Sequence, residues 1–541
     1  MNMLNPLPAF ATANPTLPRG PLPHALPPLP LNRLHPSGGI PGRVPSRQSA
    51  PLALGRVAKD ALVIVLMLLL NYFGNVGAGV FFAILVVMTF RSPELAFKAL
   101  LIMWLGLMTN QMLVPKSLVW TPCRLVLPLL SFARFSFDLI ALRTSLFSKV
   151  FYTSFVVYCL IMAMCSVISG WYTLIALSKL LNFWICFSAV FAGAVVLVRR
   201  RFDIGEWLVS LIIASTVMAL VAIAVNGGIV QVREGVQSTH FGGAFLHPNC
   251  HGSYAAMFVV ALVMVFTFTR YRNRWIVWPL LAAWLLFMVW SKSRTAFVSV
   301  AFGMLTLFPF LATSVRTKWI RRVSISRPTA VVVGVGALVL LVIANIAVDN
   351  AIGNALVTFI NKSSRLSDTG ELELNINSVV FSRVGKMEES MANFRENPVF
   401  GIGFQVMKTQ FFIQNATLFT APAEKGFLPS AVLEEGGVVG AFFFVVFIAS
   451  LLLTFVVERN TPALVMFMTY MGSTMTEVTM FSTGGSGGFA WAMVAAAYVF
   501  GEMTWVKQQA PAGAARHAVL SAARPAIRGM APHPVGLPYP G

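Results

Sequence analysis

The feature that most constrains this chain is the recurrence, from residue 58 onward, of apolar runs of about 15 to 25 residues, each able as a helix to cross a hydrocarbon core of about 30 Å. Read in order, the runs fall at 58–73, 75–90, 95–114, 118–142, 148–169, 172–198, 206–227, 252–269, 274–290, 294–314, 329–348, 437–457, 461–477 and 485–505. They show no period of two, which argues against a barrel. The expectation is an all-α polytopic membrane protein with about 14 transmembrane helices, the count good to about two. A charged fraction of only 11% fits that class and excludes an ordinary soluble domain, in which about a quarter of residues are charged. Two places read as irregular: the tight turn from Asn71 to Gly79, and 118–142, which carries Arg124, Pro128 and Arg134.

The basic residues orient these spans. With the N-terminus inside, Arg91, Arg143, Lys149, the Arg199–Arg201 triplet, Arg270 to Arg274 and Arg316 to Arg327 all fall on the cytoplasmic side, as does Arg459. The net charge of +21 is therefore read as topology determinants facing anionic lipid, with no nucleic acid partner. Residues 1–57 form a basic tail that holds 13 of the 31 prolines by Pro51 and cannot bury a core. The tail 506–541 reads likewise, so both termini are expected to be cytoplasmic and disordered. Cys123, Cys159, Cys165, Cys186 and Cys250 show no disulfide or metal spacing and are read as packing residues. The rest divides into membrane helices at 58–348, a long polar loop at 349–436 and membrane helices at 437–505.

That topology exports four polar islands to the outer face. The first carries Arg233 and the run Gly242-Gly243-Ala244-Phe245-Leu246-His247-Pro248-Asn249, where Asn249 is either a helix cap or, with His247, a substrate contact. The second, Ser291-Lys292-Ser293-Arg294-Thr295, sets two cations at membrane depth, where charge is costly unless paired or hydrated. Arg offers a planar fork of donors to a phosphate and Lys a point charge. In the long loop, Val384, Met387, Met391 and Phe394 predict an amphipathic helix with Ser382 as a candidate cap, ended by Asn397-Pro398 and followed by Gly401-Ile402-Gly403. The loop closes with Glu424-Lys425-Gly426, and Glu434-Glu435-Gly436-Gly437 leads into the next span. Those carboxylates read either as general bases or as helix-start residues favoured by the dipole. The fourth island holds Glu477 before a glycine-rich stretch that suits close helix packing. Lys179 stands apart as a cation inside a span.

In this order the islands resemble the O-antigen ligase and O-antigen polymerase superfamily. The likeness rests on Gly243 to Asn249, Ser293-Arg294-Thr295, Ser382-Arg383 followed by Asn397 to Gly403, and Leu433 to Gly440, and covers about residues 60 to 505. It implies a glycosyltransferase of the bacterial inner membrane that takes a polyprenyl-diphosphate-linked oligosaccharide at the periplasmic face and joins it to a glycan or lipid acceptor. The ligases carry a histidine near the end of the large loop; here that interval reads Glu424-Lys425-Gly426, and the whole loop has no histidine. The departure favours a polymerase-like member acting in exopolysaccharide biosynthesis over ligase-type transfer, alongside other polysaccharide-assembly proteins.

The chemistry suits the residues. A departing diphosphate carries at least two negative charges, which fixed cations stabilise electrostatically, so neither cofactor nor metal is expected. Arg294 and Arg383 are assigned to the diphosphate, with Lys292, Lys425 and Arg233 in support; Glu424 or Glu435 is the base, and His247, Asn249 and Glu477 contact substrate. Two other classes fit a polytopic chain with an external loop: a secondary transporter or flippase of lipid-linked glycan, and a noncatalytic receptor.

Overall fold

The computed structural model describes residues 52–109, 119–140, 146–227, 229–233, 236–245, 248–269, 274–291, 293–318, 376–409, 412, 425–475, 478–482 and 485–504. The expected span 329–348, the tails 1–51 and 505–541 and the loop stretch 349–375 lie outside these residues.

Among the described residues the protein is almost wholly helical. The helices are α1 (Leu54–Leu70), α2 (Gly74–Arg91), α3 (Pro93–Met108), α4 (Trp120–Ile140), α5 (Leu146–Ser169), α6 (Thr173–Arg199) and α7 (Gly205–Asn226). They continue with α8 (Pro248–Phe268), α9 (Val277–Trp290), α10 (Arg294–Lys318), α11 (Ile376–Glu396), α12 (Leu428–Val457), α13 (Thr461–Thr474) and a last helix, α14, over 486–504. The all-α expectation needs one amendment, an antiparallel hairpin of β1 (Ile229–Arg233) and β2 (Val236–Phe241) in the first polar island.

Local chemistry sets several boundaries. The Ser92 hydroxyl accepts the Leu95 N–H at 3.2 Å ahead of Pro93, which starts α3 without needing its own N–H. The Asn460 side chain accepts the Ala463 N–H at 3.1 Å and starts α13 in the same way. α1 and α2 are separated by a 3-10 turn at Asn71–Phe73 and by Gly74 at φ 66°.

Among the described residues six helical stretches are long and apolar enough to cross a membrane: Leu54–Arg91, Lys149–Ser169, Thr173–Arg199, Gly205–Val225, Cys250–Phe268 and Leu428–Val457. Their outward faces carry Leu62, Phe90, Leu160, Leu174 and Val445, all large, apolar and exposed. Water would penalise such a surface, whereas lipid accepts it, so this is a membrane-embedded protein. Against lipid, packing rather than water exclusion holds helices together. The centre is aromatic: Phe155 on α5 lies 4.1 Å from Phe187 on α6 and 5.4 Å from Phe447 on α12, and Phe187 lies 4.9 Å from Trp491 on α14.

Ion pairs gather at one end of the bundle. Arg200 reaches Glu94 at 3.5 Å and Asp138 at 3.3 Å, Arg56 reaches Glu206 at 3.4 Å and Lys98 reaches Asp60 at 3.7 Å. Such partly exposed pairs are worth about 0–1 kcal/mol each, so they fix helix register more than stability.

Candidate functional site

The opposite end is built around a broken helix. α12 runs for 30 residues, but Gly437 at φ 59° and ψ −160° interrupts it. The break leaves the carbonyls of Glu434 and Glu435 and the amides of Val438 and Val439 without the partners an unbroken helix supplies. A strap from within the long loop, Pro398 to Gly403, takes all four. The N–H groups of Ile402 and Gly403 donate to the Glu434 and Glu435 carbonyls at 2.8 and 3.0 Å. In return, the N–H groups of Val438 and Val439 donate to the Pro398 and Val399 carbonyls at 2.9 and 3.2 Å.

The glycines of the two motifs exist for this approach. A Cβ on Gly437 would lie 2.3 Å from the Val399 carbonyl carbon, and one on Gly401 (φ 67°) 2.5 Å from the Glu434 carbonyl oxygen. Gly401-Ile402-Gly403 therefore stitches backbone to backbone. The strap is also tied to α5: Ser169 Oγ donates to the Ile402 carbonyl at 3.2 Å, and the Phe404 N–H donates to Ser166 Oγ at 3.1 Å.

Beneath the strap lies a buried charge cluster. Lys425 Nζ stands 3.0 Å from Glu434 Oε2 and 3.2 Å from Glu435 Oε1, each side chain being 2% exposed. Glu434 is completed by α11, with Ser390 Oγ donating to Oε2 at 2.9 Å and Asn393 Nδ2 to Oε1 at 2.7 Å. Glu435 Oε2 is buried without a hydrogen-bond partner. Burial opposes the charge on Lys425, but Glu435 and Glu434 beside it outweigh that and hold its pKa above the ordinary lysine value. A carboxylate locked in place beside one ammonium, with one oxygen uncommitted, can accept a proton from a hydroxyl brought to it.

Several sequence expectations change here. Glu434 and Glu435 lie seven and eight residues into α12, at the end of the segment before the break and just ahead of the segment that Val438 begins. Lys425, expected to support the diphosphate, is buried against these two carboxylates. The loop helix α11 begins at Ile376, which puts Ser382 inside it rather than at its cap. Its apolar stripe, Val384, Met387, Met391 and Phe394, is only half-buried, while Ser390 and Asn393 are buried against Glu434. α8 begins at Pro248, so Asn249 is its second residue and not the cap.

The other candidates are placed as follows. Arg294 is the first residue of α10, half-buried, with Ser293 before it packed where a Cβ on Gly252 would lie 2.3 Å away. Arg383 lies on α11 and Arg233 ends β1; the side chains of both, and of Asn249, lie outside the described residues. So do His247, Lys292, Glu424 and Glu477 altogether. Residues 478–482 and 485–489 connect the charge cluster to α8. The Val478 N–H donates to the Lys425 carbonyl at 3.3 Å, Phe481 lies 5.3 Å from Phe404 just past the strap, and Phe489 lies 4.7 Å from Tyr254, two residues along from Gly252. Arg294 and the Lys425 cluster thus belong to the same end of the bundle. Glycine here serves packing, since a Cβ on Gly487 would lie 2.0 Å from the Thr479 carbonyl oxygen.

Sequence reasoning missed Ser390 and Asn393 as members of this site. The available signal was the pairing of Gly401 with Gly437, two glycines that tertiary contact requires. No protein-family model matches the chain, and no curated protein matches it.

Proposed function

We propose that the chain is a metal-independent membrane glycosyltransferase that polymerises or transfers polyprenyl-diphosphate-linked glycan units at the periplasmic face of a bacterial inner membrane. Both termini are cytoplasmic and the chain crosses about 14 times. The observation that carries the reading is Glu435: a buried carboxylate with one oxygen uncommitted, fixed by Lys425 at the end of the bundle to which Arg294 belongs.

In the proposed step the acceptor hydroxyl attacks the anomeric carbon of the lipid-linked glycan. A new C–O bond forms, the bond from that carbon to the diphosphate oxygen breaks, and the electron pair leaves with the polyprenyl diphosphate. The hydroxyl proton passes to Glu435, with Glu424 as the other candidate base. Arg294 and Arg383 meet the leaving charge, supported by Arg233 and Lys292, while His247, Asn249 and Glu477 shape the glycan site. Polymerisation of exopolysaccharide is favoured over ligase-type transfer to a lipid or protein acceptor, because the long loop has no histidine.

Incubating purified protein with lipid-linked repeat units tests this directly. Glycan lengthens without an ion gradient in the wild type, and Arg294→Ala, Arg383→Ala and Glu435→Gln each abolish lengthening while inserting normally. Wild-type chain lengths in both arginine variants would remove the assignment.

One observation favours a second reading. Helices broken within the membrane are a feature of secondary transporters, where the break lines a substrate path. A transporter moves the lipid-linked glycan across the bilayer and leaves its length unchanged, so the same incubation in vesicles separates the two.

A further inference from the structure

The side of the α5 and α12 pair that faces away from the core is grooved. On the inner side Phe447 of α12 stacks on Phe151 and Tyr158 of α5, with ring centres 5.8 and 5.7 Å apart. The Ser154 and Ser450 hydroxyls meet across the seam. Outside it, Val150, Thr153, Ser154 and Val157 set a stripe of short side chains along one face of α5, at the spacing of three and four that a helix face requires. Phe443 and Val446 of α12 form the other wall, and the space between them is an open cavity of about 360 Å³. That falls in the range of roughly 300–1,000 Å³ in which proteins hold small molecules. Val150 is 52% exposed and Val446 39%, so the walls look outward, into lipid.

One cation lines this groove. Lys149 stands exposed in the first turn of α5, at the end of the bundle where the ion pairs gather. The described pairs of that end join Arg56 to Glu206, Lys98 to Asp60, Arg134 to Asp138, and Arg200 to Glu94 and Asp138; Lys149 belongs to none of them. A lysine so placed lays its stem along the apolar wall and keeps its ammonium at headgroup level, where the counterion is a lipid phosphate. From Lys149 to Val157 the helix rises about 12 Å at 1.5 Å per residue, less than half of a hydrocarbon core of about 30 Å. A chain entering beside Lys149 therefore lies within one leaflet. The lipid-linked glycan of the proposed reaction does not fit this polarity, since its diphosphate belongs at the other end of α5, where Ser169 meets the strap.

We propose that this groove is a binding site for an anionic phospholipid, with one acyl chain between α5 and α12 and the headgroup phosphate on Lys149. The leaflet is the one at the ion-pair end, which is the cytoplasmic leaflet in the proposed topology. A zwitterionic lipid offers the same chain, but its own ammonium offsets the phosphate, so Lys149 selects for net negative charge. The site does not depend on the transferase reading.

The experiment uses the full chain in vesicles of phosphatidylcholine that contain a small, fixed fraction of one photoreactive lipid, either phosphatidylglycerol or phosphatidylcholine, with the same diazirine in its acyl chain. After illumination, mass spectrometry locates the labelled residues. Labelling of 150–157 and 443–446 is expected to be several-fold higher with phosphatidylglycerol than with phosphatidylcholine. On the exposed face of α1, at Leu62 and Leu66, the two lipids label alike, and this face serves as the internal reference for folding and insertion. Lys149→Gln lowers phosphatidylglycerol labelling of the groove about fivefold, the equivalent of roughly 1 kcal/mol for one cation at an anionic surface, and Lys149→Arg keeps the wild-type level. Thr153→Phe fills the groove and lowers labelling there with either lipid. Equal labelling of the groove by the two lipids in the wild type would mean ordinary boundary lipid and overturns the proposal. It is also overturned by undiminished labelling in Lys149→Gln or in Thr153→Phe, or by the absence of label in the groove with both lipids. Displacement of the phosphatidylglycerol label by an equal fraction of polyprenyl phosphate would make the groove a site for the glycan carrier and overturns it as well.

Discussion

Substituting Gly437 by alanine decides whether the break in α12 is real, because the two possibilities predict opposite signs. In an unbroken apolar helix, Gly→Ala stabilises by about 0.5–1 kcal/mol. At φ 59° and ψ −160° the new side chain adopts a backbone conformation that costs about 1–3 kcal/mol. Its Cβ would also lie 2.3 Å from both the carbon and the oxygen of the Val399 carbonyl, which is backbone and cannot swing aside. Relieving that overlap pulls the strap away and loses the bonds from Val438 and Val439, at about 1 kcal/mol each or more where a buried group is left unpaired. The sum is a destabilisation of about 3–6 kcal/mol. Gly385 on α11 serves as the control: a Cβ there meets nothing within 4 Å, and Gly385→Ala gains about 0.5–1 kcal/mol. Equilibrium unfolding in mixed micelles gives the magnitudes, and hydrogen exchange at Ile402, Gly403, Val438 and Val439 gives the location. A Gly437→Ala protein as stable as wild type, with those four amides still protected, would refute the stitched break.

Lys425→Met strands Glu435 and should cost about 3–5 kcal/mol, the usual penalty for unpairing a buried charge. Adding Glu435→Gln removes the stranded charge, and the double variant should recover more than about 1 kcal/mol as coupling energy in a double-mutant cycle; strict additivity counts against the ion pair. Asn393→Ala withdraws one donor from Glu434 and should cost about 1–3 kcal/mol. Asn393→Asp should cost more than Asn393→Ala, since it sets a third carboxylate against Glu434, and the reverse order in thermal unfolding contradicts the assigned contact.

How much of this was legible depended on how local the cause was. Apolar runs announce helices because length and composition suffice, and so α5, α6, α7 and α8 fall close to the spans read from sequence. The loop helix was visible from Val384, Met387, Met391 and Phe394, but which face it buries was not. The face turned inward is polar, Ser390 and Asn393, because its partner is a carboxylate some forty residues downstream. Glu434 and Glu435 looked like residues at a helix start because Gly436-Gly437 reads as the loop's last turn, yet the helix had already begun at Leu428. The purpose of Gly401 and Gly437 lies in each other's neighbourhood, and no window along the chain contains both.

The exchange of backbone bonds at the break also has a temporal side. Residues 398–403 leave the ribosome before 434–439, so the partner for the exposed amides of Val438 and Val439 is already made when the lower half of α12 enters the bilayer. From Val438 to Val457 is about 30 Å of helix at 1.5 Å per residue, enough to cross by itself. The span can therefore form first and be sealed at the break afterwards, by a piece of chain already made. Shortening or deleting the strap would leave the four backbone groups at the break without their partners, in a helix too apolar for water to take the strap's place.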